Sequence, residues 1–398
     1  MPCASSSNKL GSEGWELVHS TGKNYPTWSV FKRPYKLCPE CERNGRKVAE
    51  KIAVTESHCE VWMDTSEGGA MKKLLMFCAS RRRRAYPAFA LTLLVAVTSC
   101  VGEDDQRIVA FGDVHGDLEA ARGALRLAGA IDEQDRWIGG ELIVVQTGDQ
   151  LDRGDQEQAI LDLFERLRIE SKAAGGAFHA LLGNHELMNA RGDLRYVTDG
   201  GFADFMDTVE YDPGDSLKVW DRSSGTFRSA ILADFEPHQR ARMAALMPGG
   251  PYADLLAQRQ VIARVGDNIF VHGGVLPEHV AYGIDEINSS AQAWLRGEAD
   301  LPSVLSGPES PQWTRLYSND PDSLACEVLK EALTALEAKR IVMGHTIQES
   351  GITSACDAQA WRVDVAMAAY YASRNDYGGS VEVLEIVGDS VRVLKDGG

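Results

Sequence analysis

The sequence predicts an α/β fold with helices flanking mixed β-sheets, and three observations predict it. Strand-like apolar runs alternate with amphipathic helical stretches from about residue 106 to the C-terminus. Two tight turns, Gly266-Asp267-Asn268 and Gly388-Asp389, join neighbouring runs as hairpins, adding antiparallel strands to an alternation that favours parallel ones. A short polar motif containing glycine follows successive strands: GDVHGD at 112–117, GDQLDRGD at 148–155, GNHE at 183–186, HGG at 272–274 and GHT at 344–346.

The elements follow in order. Residues 107–111 are a short apolar run ending at GDVHG. Residues 118–128 carry apolar side chains at 118, 121, 125 and 128, the stripe of one helix face. Residues 141–147 read as a buried strand running into GDQLDRG. Residues 155–172 place Ile160, Leu163, Phe164 and Leu167 on one helical face. Residues 177–182 lead into GNHE, the hairpin 261–271 into HGG, and 340–343 into GHT. A hairpin over 381–387 and 390–394 closes the chain. Residues 195–258 and 285–325 are less regular and richer in Pro, Gly and Asp, and are expected to be inserted cap or loop regions. Every motif thus lies past the C-terminal end of a strand, the edge where open α/β sheets bind ligands.

Bulk properties narrow the functional class. With 398 residues, 44% hydrophobic and 25% charged, the chain is long enough for one large or two ordinary globular domains. A net charge of −17 argues against a nucleic-acid partner, whose backbone is bound through Lys and Arg.

The N-terminal quarter reads differently. Residues 71–100 begin with a Met and two lysines, continue through four arginines at 81–84 and an apolar core at 88–97, and end in Val97-Thr98-Ser99-Cys100. This is the layout of a secretory signal. The cysteine after small residues resembles a bacterial lipobox, so cleavage before Cys100 and lipid attachment to its sulfur are expected. Such a protein sits on the membrane in the bacterial cell envelope; it is cytoplasmic if the signal is not used. Met71 then reads as an alternative start, leaving 1–70 as an N-terminal extension of no assigned role and 101–398 as the mature domain. The CPEC pair at 38–41, with His58 and Cys59 later, is only half a zinc site.

The motifs carry the chemistry. Asp113, His115, Asp149, Asn184, His272 and His345 supply two carboxylates, one amide oxygen and three imidazoles. That donor set suits two divalent transition metal ions sharing a carboxylate, and it points to metal-dependent phosphoester hydrolysis. Mn, Fe, Zn, Co and Ni are all compatible with it.

The ordered series GDxHG, GDxxDRG, GNHE, HGG and GH is similar to the signature of the calcineurin-like metallophosphoesterases. Its full DRG and GNHE resemble the phosphoprotein phosphatase branch, and GNHELMNARGDLRYV at 183–197 resembles the bacterial-type Shewanella-like phosphatases. The resemblance spans roughly 107–390. It implies the metallophosphatase sandwich, two mixed sheets flanked by helices with a dinuclear site at strand C-terminal ends. It further implies that Asp113, His115 and Asp149 hold one ion, and that Asp149, Asn184, His272 and His345 hold the second. Asp149 would bridge, with a hydroxide between the ions as nucleophile. By the same resemblance His185 is the general acid, Asp152 orients it, and Arg153 grips phosphate. The second phosphate-binding arginine is Arg315 or Arg191.

The chain departs from its relatives at several points. Ile347 stands where distant members carry a second histidine. Gln150-Leu151 replace a Tyr-Val pair, which bears on the substrate groove. Ala366 stands where relatives often have glycine. Asp364 is read as structural, His179 as a packing residue, and His238 and His279 as surface residues. Trp137, Trp294 and Trp313 are read as core or rim. Cys326 and Cys356 would face an oxidising compartment after export, but sequence does not show whether they meet. The expected activity is phosphomonoester hydrolysis on a phosphorylated protein, peptide or small phosphoester. The alternatives are a dinucleoside polyphosphate or nucleotide pyrophosphohydrolase, and a lipid-anchored binding protein with an inactive site.

Overall fold

The computed structural model describes residues 106–221, 223–373, 378 and 380–395, together with the backbone of five strands between residues 16 and 78. The chain divides into two compact units, Met1–Val97 and Thr98–Gly398. In the first, β1 (Glu16–Ser20), β2 (Ser29–Arg33), β3 (Glu50–Glu56), β4 (Cys59–Thr65) and β5 (Lys73–Cys78) pair antiparallel in sequence order. Strand β5 takes up part of the expected basic region of the signal. The CPEC pair, the apolar core at 88–97 and Cys100 lie outside the described residues. Among the described residues no helix is long and apolar enough to cross a membrane.

The second unit contains two mixed five-stranded sheets. One is built from β6 (Arg107–Phe111), β7 (Ile143–Gln146), β8 (Ala177–Ala180), β16 (Glu382–Val387) and β17 (Ser390–Lys395), in the order β17-β16-β6-β7-β8. Strands β6, β7 and β8 run parallel, while the C-terminal hairpin joins β6 antiparallel. The other is built from β11 (Ile262–Val265), β12 (Asn268–Val271), β13 (Arg340–Met343), β14 (Thr353–Ala355) and β15 (Ala360–Arg362), in the order β11-β12-β13-β15-β14. Its β12, β13 and β15 are parallel.

The period-2 alternation of strands divides the apolar side chains between two cores. Ala263, Phe270 and Val342 of the second sheet join Val109, Phe111 and Val144 of the first in one buried cluster. Helices α1 (Leu118–Leu127) and α2 (Glu157–Ala173) add Leu125, Ile160 and Phe164 to it. The alternate residues Ile262, Ile269, Val271, Ile341 and Met343 face the second core. There they meet Ile287, Trp294, Leu329 and Leu333 from helices on the other side. Helix α1 starts where Asp117 accepts the Ala120 N–H at 3.0 Å, an N-cap that fixes how the chain leaves the first motif.

Between β8 and β11 lie α3 (Asn184–Ala190), α4 (Asp199–Ala203), the hairpin β9 (Ser216–Asp221) and β10 (Thr226–Ile231), α5 (Pro237–Leu246) and α6 (Pro251–Leu256). Between β12 and β13 lie α7 (Pro277–Tyr282), α8 (Ile284–Leu295) and α9 (Ser323–Ala335), and a short α10 (Ala369–Ala372) precedes β16. The expectation of irregular cap over 285–325 is therefore corrected at its start. Helix α8 buries Ile287, Ala291, Trp294 and Leu295, a helical i, i+4, i+7, i+8 stripe that Asn288, Ser289 and Ser290 dilute in composition. Helix α9 repeats that spacing with Ala325, Leu329, Ala332 and Leu333. Strands β14 and β15 have three residues each, too few for alternation to show. His279, expected at the surface, is buried: Leu276 donates its N–H to Nδ1 at 3.0 Å at the start of α7, and burial pushes the ring down to about 4.

Cys326 on α9 and Cys356 after β14 form a disulfide across 30 residues of sequence, with their Cα atoms 5.2 Å apart. Closing a loop of that length removes unfolded-chain entropy worth about 3–4 kcal/mol. Cys326→Ser/Cys356→Ser is expected to lower unfolding stability by an amount of that order, measurable as a lower urea midpoint, with the m-value rising as the unlinked unfolded chain expands.

Candidate metal centre

Five strand ends bring the motifs to one edge of the two sheets. The GDVHG and GDQLDRG loops are tied by their backbones: Val114 and His115 donate N–H groups to Asp149 O, both at 3.1 Å, and Gly116 donates to Gln150 O at 2.8 Å. Two glycines let other loops come close. A Cβ on Gly183 would lie 2.1 Å from Asp149 Oδ1, and one on Gly344 would lie 2.4 Å from Asp113 Oδ1. Five site residues that are not glycine hold left-handed backbone: His115, Asp149, Asp152, Arg153 and His345, with φ between 40° and 67°. Such residues persist where the surrounding structure over-determines them, and they cluster at functional sites.

Much of that constraint comes from Glu186, which sequence reasoning did not single out. Its buried carboxylate accepts N–H groups from Gly183 (2.7 Å), Gln150 (2.8 Å), Asp149 (2.9 Å) and Leu151 (3.2 Å). It thereby fastens GNHE onto GDQLDRG. The signal was in the sequence, as the acid three residues after a helix-opening glycine.

Backbone carbonyls set the imidazole tautomers, because a carbonyl only accepts. His115 Nδ1 donates to Leu151 O at 3.0 Å and His272 Nδ1 to Thr147 O at 2.9 Å, so each turns Nε2 toward the other candidate ligands. His345 Nε2 donates to Trp313 O at 3.2 Å, leaving Nδ1 as its donor. Asp149 Oδ2 lies 3.2 Å from His272 Nε2, 3.7 Å from His185 Nε2 and 3.8 Å from His115 Nε2. His272 Nε2 is also 2.8 Å from Asn184 Oδ1, and His115 Nε2 is 3.8 Å from Asp113 Oδ2.

Two groups of candidate ligands emerge, His115–Asp149–His185 and Asp149–His272–His345, with donor atoms in each within 4.8 Å of one another. Asp149 belongs to both. His185 is near enough to count geometrically in the first, but its Nδ1 faces Asp152 Oδ2 at 2.5 Å. Asp113 and Asn184 complete the set around the same oxygen and nitrogen atoms.

The electrostatics fit cations. Burial, Asp364 and Asp149 hold the Asp113 carboxyl well above its usual range. Burial pushes Asp149 the same way, but His272 and His185 more than offset it and hold it well below. Burial keeps His115 and His345 well below the usual imidazole range, so they stand as neutral ligands. Three carboxylates, Asp113, Asp149 and Asp364, crowd a dry site that positive charge would relieve. Hard oxygens with the neutral imidazoles of His115 and His345 fit two divalent ions, and the His272 ring, held above its usual range because Asp149 outweighs burial, carries positive charge where a cation would take the proton's place.

Around these groups is a cavity of about 220 Å³. Arg153 enters it between the rings of Tyr196 and Tyr371, 5.0 and 5.6 Å from their centroids, with Nη1 2.5 Å from His115 Nε2. Arg315 stands at the mouth, its Nη1 donating to His345 O at 2.7 Å and Thr346 Oγ1 at 2.8 Å. Trp313 and Ile347 also line the cavity. The tyrosines were not identified from sequence: Tyr196 lies in the 183–197 stretch without a role assigned to it, and Tyr371 belongs to no motif. Arg191 does not line the cavity: its Nε donates to Leu187 O at 3.1 Å, its guanidinium lies 5.8 Å from the Trp220 ring, and burial pushes it down to about 10.

Gln150 and Leu151, expected to shape a substrate groove, are fully buried under the site. Asp364 is buried, and its Oδ1 accepts the Ala366 N–H at 3.0 Å. Ala366 holds φ at 53°, the left-handed backbone that glycine takes more readily.

Residues 106–349 match the family model described as calcineurin-like phosphoesterase. The chain is 41% identical over 310 residues to Shewanella-like protein phosphatase 2 of Arabidopsis thaliana, covering 73% of this chain and 78% of that protein. It is 26% identical over 274 residues to Shewanella-like protein phosphatase 1 of Plasmodium berghei, covering 66% and 68%. Its fold is similar to the crystal structure of the cold-active protein-tyrosine phosphatase of a psychrophilic Shewanella, with a TM-score of 0.52, 20% identity, and 96% and 100% of the two chains covered.

Proposed function

This chain belongs to the calcineurin-like phosphoesterase family and is a phosphoester hydrolase, and we propose that it removes the phosphoryl group from phosphorylated side chains of proteins or peptides. The observation that carries the reading is Asp149, one carboxylate shared by two groups of metal donors, with the His185–Asp152 pair beside it. The names of the relatives, protein phosphatases, support the substrate class. So does the cavity: about 220 Å³ is below the range of roughly 300–1,000 Å³ for sites that enclose drug-sized ligands. It suits a phosphoryl group and part of one side chain better than a dinucleoside polyphosphate.

Asp113, His115 and Asp149 would hold one ion, and Asp149, Asn184, His272 and His345 the other. When bound, such a pair lowers the pKa of water to give a nucleophile at neutral pH and neutralises phosphate charge. The chain's own groups do the rest. Arg153 and Arg315 flank the cavity and present guanidinium forks to the phosphate oxygens. His185 Nε2 faces the cavity with its other nitrogen on Asp152, so a proton on Nε2 can pass to the leaving oxygen.

Turnover of a phosphoserine, phosphothreonine and phosphotyrosine peptide panel, set against diadenosine tetraphosphate and with Mn, Fe, Zn, Co and Ni added in turn, tests the proposal. Chromatography of the products distinguishes inorganic phosphate from nucleotides. Turnover confined to the dinucleotide would overturn the reading.

The arginines separate by position. Arg153→Lys and Arg315→Lys keep the charge and lose the fork. Each is expected to cut kcat/KM roughly 10- to 100-fold, the loss of one charge-assisted hydrogen bond of about 1.5–3 kcal/mol. Arg191→Lys should leave kcat/KM within about twofold, because the side chain is outside the cavity. Steady-state kinetics on one phosphopeptide compares all three.

We also propose that the enzyme works outside the cytoplasm, anchored through Cys100. The basic-then-apolar run before Cys100 supports this, as does the Cys326–Cys356 disulfide, a bond that persists in oxidising compartments. Mass spectrometry of the native N-terminus would show either a lipidated Cys100 or an uncleaved leader.

A further inference from the structure

Among the described residues the outer edge of the first sheet is open at β8. Pairing with β7 uses the N–H groups of Ala177, to Leu142 O at 3.1 Å, and Leu181, to Gln146 O at 2.9 Å, and by alternation that of His179. The N–H groups of Phe178 and Ala180 therefore point away from the sheet. Edge strands are normally blunted by Lys, Pro or a bulge. The run Ala177-Phe178-His179-Ala180 has no Lys or Pro, and its register with β7 is unbroken. Segment 258–260 covers only the far end, where Leu182 N–H donates to Gln260 O at 2.9 Å.

The open part faces a groove of about 380 Å³ between α2 and segment 258–260. Phe164 and Phe178 give it an apolar wall, and Arg168, Lys172 and Arg259 give it positive charge on a chain whose net charge is −17. Glu165 pairs with Arg168 at 2.5 Å, which leaves two cations for a ligand. Lys172 is exposed in the last turn of α2. Arg259 is buried and donates from Nη1 to Gln150 Oε1, and burial pushes it down to about 10 against the opposing pull of Glu186 and Glu165. The groove shares no lining residue with the metal centre.

We propose that this groove docks an extended acidic segment of a partner protein, added as a further strand on β8, with its carboxylates on Lys172 and Arg259. The backbone of Phe178 and Ala180 supplies the ladder, and the two cations select the sign of the guest. The docking stands independently of which phosphoester is cleaved.

Fluorescence anisotropy on the full chain tests it, with two labelled, capped peptides: alternating glutamate and valine, and alternating lysine and valine. The glutamate peptide is expected to bind at least about tenfold more tightly than the lysine peptide, and less tightly as salt rises. Ala180→Pro removes an outward N–H and should weaken binding by about tenfold, the equivalent of one ladder hydrogen bond. Lys172→Glu, an exposed change that leaves the backbone intact, should weaken it at least as much. Both variants should keep wild-type turnover of a small aryl phosphate. Equal affinity for the two peptides, binding unmoved by Lys172→Glu, or a concentration-dependent dimer abolished by Ala180→Pro in place of peptide binding would each overturn the proposal.

Discussion

Asp149→Asn is expected to reduce turnover of an aryl phosphate by more than about 10³-fold, because a divalent ion contributes several kcal/mol of charge stabilisation and each 1.36 kcal/mol is a factor of ten. Asp149 is the residue common to both donor groups, and its Oδ2 lies within 3.8 Å of three imidazoles. The amide has nearly the carboxylate's shape, so the contact of Gly183 with this side chain can survive. It lacks the charge that offsets two cations, and its NH₂ end cannot ligate. Two measurements separate this loss from simple misfolding. Metal analysis of the purified variant should show less bound metal than the wild type. Added metal should raise the thermal midpoint of the wild type, as any ligand of the native state does, and should leave the variant's nearly unmoved. Wild-type-like turnover in a variant with full metal content would sink the assignment.

The metal donors were legible in the sequence because each is local to a strand end. Five short motifs in order need only the strands to be parallel at their C-terminal ends, and the registers Phe111↔Gln146 and Val271↔Met343 put Gly112 beside Thr147 and His272 beside Gly344. The residues that hold these donors were less legible because their partners lie far along the chain. Tyr371 meets Arg153 from α10, late in the chain, and Arg242 reaches Glu157 across 85 residues of sequence. The choice between Arg315 and Arg191 illustrates the limit: both flank a motif, and only the direction of the α3 C-terminus turns Arg191 toward Trp220 and away from the cavity. The left-handed backbone at His115, Asp152 and Arg153 runs against local preference, which is what sequence reasoning weighs, and persists because Glu186 and the paired loops fix it. Helices α8 and α9 belong to another class: their stripes were present, and polar composition obscured them.

His185→Ala is expected to lower kcat on phosphoserine peptides by about 10²–10⁴-fold, the usual contribution of a general acid, and to spare most of the activity on an aryl phosphate with a good leaving group. The difference follows from the leaving oxygen: a serine alkoxide needs a proton as the bond breaks, whereas an activated phenoxide leaves without one. Asp152→Asn should show the same substrate dependence, since Asp152 Oδ2 holds His185 Nδ1 at 2.5 Å. The other oxygen of Asp152 is fixed from α3 and α5. Asn189 Nδ2 donates to Oδ1 at 3.0 Å, Arg242 Nη2 donates to it at 3.4 Å, and Arg242 Nε donates to Asn189 Oδ1 at 2.9 Å. Arg242 is fully buried and also binds Glu157, which in turn accepts the Asp152 N–H. Arg242→Met leaves the Glu157 carboxylate buried and unpaired, so a stability loss of roughly 3–5 kcal/mol is expected. If Arg242 only props up the fold, the folded fraction of the variant will cleave both substrates equally well. If it positions Asp152, the loss per folded molecule will fall on phosphoserine and spare the aryl ester, and Arg242→Lys will restore part of it. The effect of Arg242→Met should then largely vanish in the His185→Ala background, because residues acting through one proton donor are not additive. Additive losses would mean that the buried network and the acid act separately.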